Sequence, residues 1–208
     1  MTESDLCLRI GRDHDAQVMF LGPLFEEHNR MRRTLVAAAR NLDGAGVGSV
    51  FPDFTGMGEN PSPISEASVE RWRDEAARAA GSIRPTVVAS IRGGALIDGR
   101  CAARGWWRFA PETGARLARD LRRTQMAGET GLFAGHRLSA EMLDQLEAAT
   151  PEPVAHVRTV RLASDTADAD ARIDAPPLWR RAEPGEDRAL SDALAADLLG
   201  WIKTCAAR

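Results

Sequence analysis

From Gln17 onward, short apolar runs alternate with longer stretches whose apolar residues recur at helical spacing. That alternation predicts a parallel sheet covered by helices on both faces. "QVMFLGPLF" reads as a strand ending at Gly22-Pro23, and Met31, Leu35, Ala38, Ala39 and Leu42 mark one face of a helix that Gly44 stops. "GVGSVFPDF" is a second strand, followed by the loop "PDFTGMGENPSPIS", rich in Gly, Pro and Ser. Ser65 or Ser68 can cap the next helix, in which Val69, Trp72, Ala76, Ala79, Ala80 and Ile83 keep the spacing. "RPTVVASI" is a third strand and runs straight into Arg92-Gly93-Gly94.

Beyond that turn the periodicity weakens. "GGALIDGRCAARG" has room for a short helix only, and "WWRFAP" predicts a fourth strand whose Trp106 and Trp107 point to opposite faces. "ETGARLARDLRRTQMAG" is an amphipathic helix with Leu117 and Leu121 on one side; its Arg116, Arg119, Arg122 and Arg123 offer a phosphate-binding face but read first as solvated surface. A short helix, "LSAEMLDQLEAA", precedes a fifth strand, "PVAHVRTVRLA", that contains His156. "SDTADADARIDAPPLW" reads as an acidic loop. The last helix has Pro184 near its start and a stripe of Leu190, Leu194, Leu198, Trp201, Ile202 and Cys205 that should pack on the sheet. No repeat or low-complexity linker divides the chain, so residues 1–208 read as one domain, with 1–16 a poorly ordered or edge segment.

Bulk properties narrow the function classes. At 208 residues and 44% hydrophobic the chain can bury one good core. A net charge of −3 with both signs interspersed leaves no footprint for nucleic acid or an anionic membrane. Cys7, Cys101 and Cys205 are far apart and odd in number, so neither a disulfide framework nor a zinc site is suggested, and a reduced cytoplasm fits best. No run approaches the ~18 to 20 apolar residues of a membrane span, and "MTESDLCLRIGRDHDAQ" has no apolar targeting core. No cofactor or metal is implied; a small anionic or acyl ligand is the expected partner, and a homo-oligomer is left open.

The chemistry concentrates at "SIRGGA", residues 90–95, where an apolar β-branched run meets a sharp turn and small residues, as at a nucleophile elbow. Arg92 falls on the nucleophile's position. A guanidinium offers five donors and no lone pair, so it cannot attack a carbonyl. Ser90 is displaced into the small-residue slot, with its side chain directed into packing.

Taken in order, "FLGPLFEEHNRMRR", "GVGSVFPDFTGMGEN" and "VVASIRGGALI" resemble landmarks of the α/β-hydrolase superfamily: the loop shaping the oxyanion hole, the Asp-x-x-Gly-x-Gly turn matched by Asp53, Gly56 and Gly58, and the elbow. More narrowly, Pro23, Glu26, Glu27, Asn29, Arg32 and Arg33 match a Pro-x-x-Glu-Glu-x-Asn-x-x-Arg-Arg signature. In this the chain resembles the type 2 hydrolase-like proteins associated with the bacterial exosortase A system and exopolysaccharide loci. "GWWRFAPETGARLARDLRR", "GHRLSAEM" and "PPLWRRAEP" extend the similarity from about Val18 to the C-terminus. The resemblance implies a compact, mostly parallel sheet with helices on both faces and a reduced or absent cap. It also implies a catalytic histidine between the last strand and the C-terminal helix, yet "DAPPLWRRAEPGEDR" holds none.

Two readings of Arg92 stand at this point. With the Gly93 and Gly94 N–H groups and the positive end of a following helix it would seat a carboxylate or phosphate; alternatively it pairs with Glu26 or Glu27 and closes the site. Leu24 and Glu27, in the neighbouring loop, join Arg92, Gly93 and Gly94 as ligand-binding candidates. Three functions follow: an accessory ligand-binding protein, an active hydrolase or acyltransferase with relocated groups drawn from His28, Glu26, Asp53 and Asp165, or a purely structural subunit.

Overall fold

A computed structural model describes residues 7–127, 132, 133 and 136–207. Seven strands form one sheet: β1 (Cys7–Ile10), β2 (Ala16–Leu21), β3 (Val47–Pro52), β4 (Val87–Ile91), β5 (Gly105–Phe109), β6 (Val157–Leu162) and β7 (Ala171–Ile173). Their spatial order is β1-β3-β2-β4-β5-β6-β7, with only β1 antiparallel to its neighbour. Among the described residues five helices cover it: α1 (Glu26–Gly44), α2 (Val69–Ile83), α3 (Gly114–Ala127), α4 (Ala140–Ala148) and α5 (Arg188–Ala206).

The strands are buried on both faces, as parallel strands under two helical layers must be. Along β2, Val18 and Phe20 join the core under α1 and α5, while Met19 and Leu21 join the core under α2, α3 and α4. The same period of two sends Trp107 to the first layer and Trp106 to the second, as expected. In α5, Leu190, Leu194, Leu198 and Ile202 are all buried, each worth about 1.5 to 3 kcal/mol of apolar transfer. Ser68 caps α2 by accepting from the Arg71 N–H at 3.1 Å.

Several local expectations need correction. The N-terminal segment is an ordered edge strand over Cys7–Ile10, while residues 1–6 lie outside the described residues. The acidic stretch after β6 contains a strand, β7, which three residues with one exposed between two half-buried positions cannot announce as a pattern. α5 starts at Arg188 with Asp187 as its cap, because the Asp187 carboxylate accepts from the Leu190 N–H at 2.9 Å; Pro184 stands outside it. His156 is not in a strand: it precedes β6, exposed, with φ 51°. The segment after β4 is a five-residue 3-10 turn, Arg92–Leu96, and not an α-helix.

From β2 the chain crosses through α1 to β3 on one side, then returns through α2 to β4 on the other, so the sheet order reverses between β2 and β4. Loops leaving the carboxyl ends of those two strands part in opposite directions and leave a crevice, the usual ligand position in an open α/β sheet.

Candidate active site at the end of strand β4

Arg92 stands at that crevice, immediately after β4, with φ 55°. A positive φ costs a side-chain-bearing residue energy and persists only where surrounding structure enforces it. Here the enforcement is visible. Arg92 Nε donates to Glu27 Oε2 at 3.1 Å and Nη2 donates to Glu27 Oε1 at 3.0 Å, a bidentate fork. Nη1 donates to Glu112 Oε2 at 3.0 Å and to the Ala110 carbonyl at 3.4 Å. The Trp179 ring lies over the guanidinium, 4.5 Å from its carbon to the ring centroid. Glu27 comes from the first turn of α1, Glu112 from the β5–α3 loop, and Trp179 from the 3-10 turn Leu178–Arg180 between β7 and α5.

The electrostatics follow from burial with a shared cation. Burial, the largest influence, pushes the Glu27 carboxyl up; the hydrogen bond and charge of Arg92 oppose it, and Glu112 and Asp120 add to it. For Arg92, burial works against the charged form but is outweighed by Glu27 and Glu112, which hold the guanidinium above its ordinary value. Arg116 Nε reaches Glu112 Oε2 at 3.3 Å, so the cluster closes as two carboxylates and two guanidiniums.

Beside the cluster lies a cavity of about 580 Å³, within the range of small-molecule sites. Leu24, Phe25, Leu117, Leu121 and Trp179 supply apolar wall; Glu26, Glu27, Arg30, Arg92, Arg116, Asp120 and Arg180 supply charge, with Thr124 completing the lining.

Among solved structures, the alpha/beta hydrolase domain-containing protein 10 from mouse is similar with TM-score 0.65 at 14% identity, covering 98% of this chain and 97% of the mouse chain. Est1E from Butyrivibrio proteoclasticus, solved with ferulic acid bound, is similar with TM-score 0.62 at 12% identity over 95% of each chain. The chain has the α/β-hydrolase fold. The bottromycin epimerase BotH, solved with bottromycin A2, has it too, with TM-score 0.56 at 12% identity over 94% of each chain. No family model and no curated protein matches the sequence. An α/β-hydrolase fold thus sets the scaffold, and the reaction has to be argued from the site.

On this α/β-hydrolase scaffold the sequence-derived candidates separate. Arg92, Glu27 and Leu24 come together at the cavity. Gly93 and Gly94 sit where the backbone is closely approached. A Cβ on Gly93 would sit 2.7 Å from Leu117 Cδ1, and one on Gly94 would run into the Leu21 carbonyl. The segment that follows Arg92 is a 3-10 turn, so the helix N-terminus at the cavity is that of α1, which carries Glu26 and Glu27. Glu26 lines the cavity and faces His136, whose Nε2 is 3.4 Å from Glu26 Oε1.

The other candidates are spoken for elsewhere. His28 Nε2 accepts from Arg32 Nη1 at 3.2 Å, and the ring is also hydrogen-bonded to the Pro23 backbone. Burial first, then Arg32, lowers its pKa, so it stays neutral with both ring nitrogens occupied. Asp53 braces the turn behind β3, where Gly56 (φ 73°) and Gly58 (φ 61°) adopt left-handed backbone and a Cβ on Gly58 would collide with its carboxylate. Burial raises the Asp53 pKa, against the Glu59 backbone hydrogen bond and Arg32. Asp165 pairs with Arg161 at 2.8 Å and caps the Ala167 N–H at 3.0 Å in the β6–β7 turn. Ser90 is fully buried, and its Oγ donates to Asp98 Oδ2 at 2.5 Å. No group of three or more His, Cys, Asp or Glu among the described residues could hold a metal ion, and no helix there is long and apolar enough to cross a membrane.

Sequence reasoning missed Glu112, Arg30 and Arg180, and left Trp179, after Pro176-Pro177, between a cleft wall, a dimer contact and core packing. A signal existed for Glu112, which follows the strand adjacent to β4, and Trp179 sits in the segment where the resemblance sought a histidine.

Proposed function

We propose that this α/β-hydrolase-fold protein binds a small anionic or acyl ligand in the cavity beside Arg92 and performs no serine-hydrolase chemistry. We assign it an accessory role in an exosortase-linked exopolysaccharide system. One observation carries the reading: the apex residue of the turn at the switch point is a guanidinium, locked by two carboxylates and covered by an indole. A group with no lone pair at that position supplies no nucleophile, and the cavity beside it retains the size of a ligand site. The exosortase setting rests on the Pro23 to Arg33 signature.

A relocated hydrolase mechanism has less support, because His28 has both nitrogens engaged and Asp53 and Asp165 serve turns away from the cavity lining. The test pairs chemistry with occupancy. A fluorophosphonate probe followed by intact-mass measurement gives no adduct, p-nitrophenyl butyrate is not turned over, and the neutral dye Nile red binds saturably. Saturable ester hydrolysis that Arg92→Ala abolishes contradicts the proposal.

A further inference from the structure

Within the cavity, the charges do not cancel evenly. Glu27 is bound to Arg92, Arg116 to Glu112 at 3.3 Å, and Asp120 faces Arg123 at 3.5 Å. Glu26 faces His136 at 3.4 Å. Two lining cations remain without a carboxylate partner among the described residues. Arg30 donates to a backbone carbonyl, that of Trp179, at 2.9 Å, and makes no ion pair among the described residues. Arg180, the next residue along that turn, is exposed and makes no ion pair. The Trp179 carbonyl therefore draws Arg30 toward the segment that carries Arg180, while the apolar wall of Leu24, Leu117 and Leu121 belongs to the same cavity.

We infer that the occupant is an amphiphilic anion, its carboxylate or phosphate head held by Arg30 and Arg180 and its apolar tail lying along Leu24, Leu117 and Leu121. Arg92 is not the head-group ligand, because four of its N–H bonds are already made within the protein. A guanidinium bound to an anionic oxygen is stronger than a neutral hydrogen bond, and two of them present planar donors to one head. Burying an alkyl tail adds affinity with each methylene. Neither half alone fills the site. This inference rests on the ligand-binding role proposed above and specifies its chemistry.

The test measures binding of decanoate, decyl phosphate, 1-decanol and acetate to the intact chain by calorimetry below their aggregation concentrations, with Nile red as the neutral probe. Decanoate or decyl phosphate should bind one per chain and at least about tenfold tighter than 1-decanol or acetate, the two heads telling carboxylate from phosphate. Arg180→Ala, at an exposed position, should weaken the anion about tenfold and leave 1-decanol unchanged, and Arg30→Met should do the same. Decanol binding as tightly as the anions, acetate matching decanoate, or anion affinity unchanged in Arg180→Ala overturns the inference and leaves the ligand-binding role standing. Failure of every probe, Nile red included, overturns both.

Discussion

Among the described residues two arginines are buried, one in β5 and one just past the end of the neighbouring β4, and they are handled differently. Arg108, in β5 and directly opposite Ser90 of β4, sends Nε to Asp98 Oδ2 at 2.9 Å and Nη2 to Asp98 Oδ1 at 2.7 Å, with the Glu152 carbonyl at 2.7 Å. Asp98 has no exposed surface; Ser90 Oγ also donates to its carboxylate, and Trp106 Nε1 and the Cys101 N–H donate to its carbonyl. Arg92, past the end of β4, is shared between two carboxylates whose side chains keep 15% and 10% of their surface, beside an open cavity. The first network is sealed and can only stabilise or destabilise. The second has solvent or ligand within reach of one of its carboxylates, Glu27, so it can exchange partners as well as hold them.

Substitution should expose that difference. The largest effect is expected for Arg108→Met, which strands a fully buried Asp98 carboxylate and should cost about 3 to 5 kcal/mol in urea unfolding. Arg92→Met leaves two carboxylates that water entering the cavity partly relieves, so about 2 to 3 kcal/mol is expected. Equal costs would mean the cavity confers no relief and would erase the contrast. Trp179→Ala removes the indole over Arg92 and part of the apolar wall and should cost about 2 kcal/mol, with Nile red affinity falling in parallel.

The smallest effect is in pH dependence. Because the Glu27 pKa in the folded chain is raised above its ordinary value of 4.5, the folded state binds that proton more tightly than the unfolded state. Its favourable contribution is present below pH 4.5 and is lost as pH rises through the raised folded value. The stability of the wild type should therefore fall relative to Glu27→Gln across that window. A difference that grows in the opposite direction would mean the pair with Arg92 dominates burial.

Most of the scaffold is legible in the sequence because its strands and helices carry long, unbroken periodicities: β2 through β4 and helices α1, α2 and α5 are each recognisable from their own residues. β7 is hidden because Ala171–Ile173 is too short to show alternation inside an acidic stretch. The small residues after β4 predict the opening of a helix, but the segment forms a 3-10 turn, with Gly93 and Gly94 packed close to Leu117 and the Leu21 carbonyl. At the site, the pairing of Arg92 with Glu27 could be anticipated because β2 and β4 are sheet neighbours. Glu112 and Trp179 are harder to place, since their approach depends on loops after β5 and β7, brought there only by the completed sheet order. Arg30 and Trp179 lie 149 positions apart and meet through a single backbone carbonyl. No periodicity encodes that meeting.

The most direct test of the account is a double-mutant cycle on Arg92 and Glu27, using Arg92→Met, Glu27→Gln and the combined variant in urea unfolding at neutral pH. A clamped apex arginine predicts a coupling energy of at least about 1.5 kcal/mol between the two positions. Coupling below about 0.5 kcal/mol would mean the guanidinium is not held by that carboxylate, and the account of this site would be wrong.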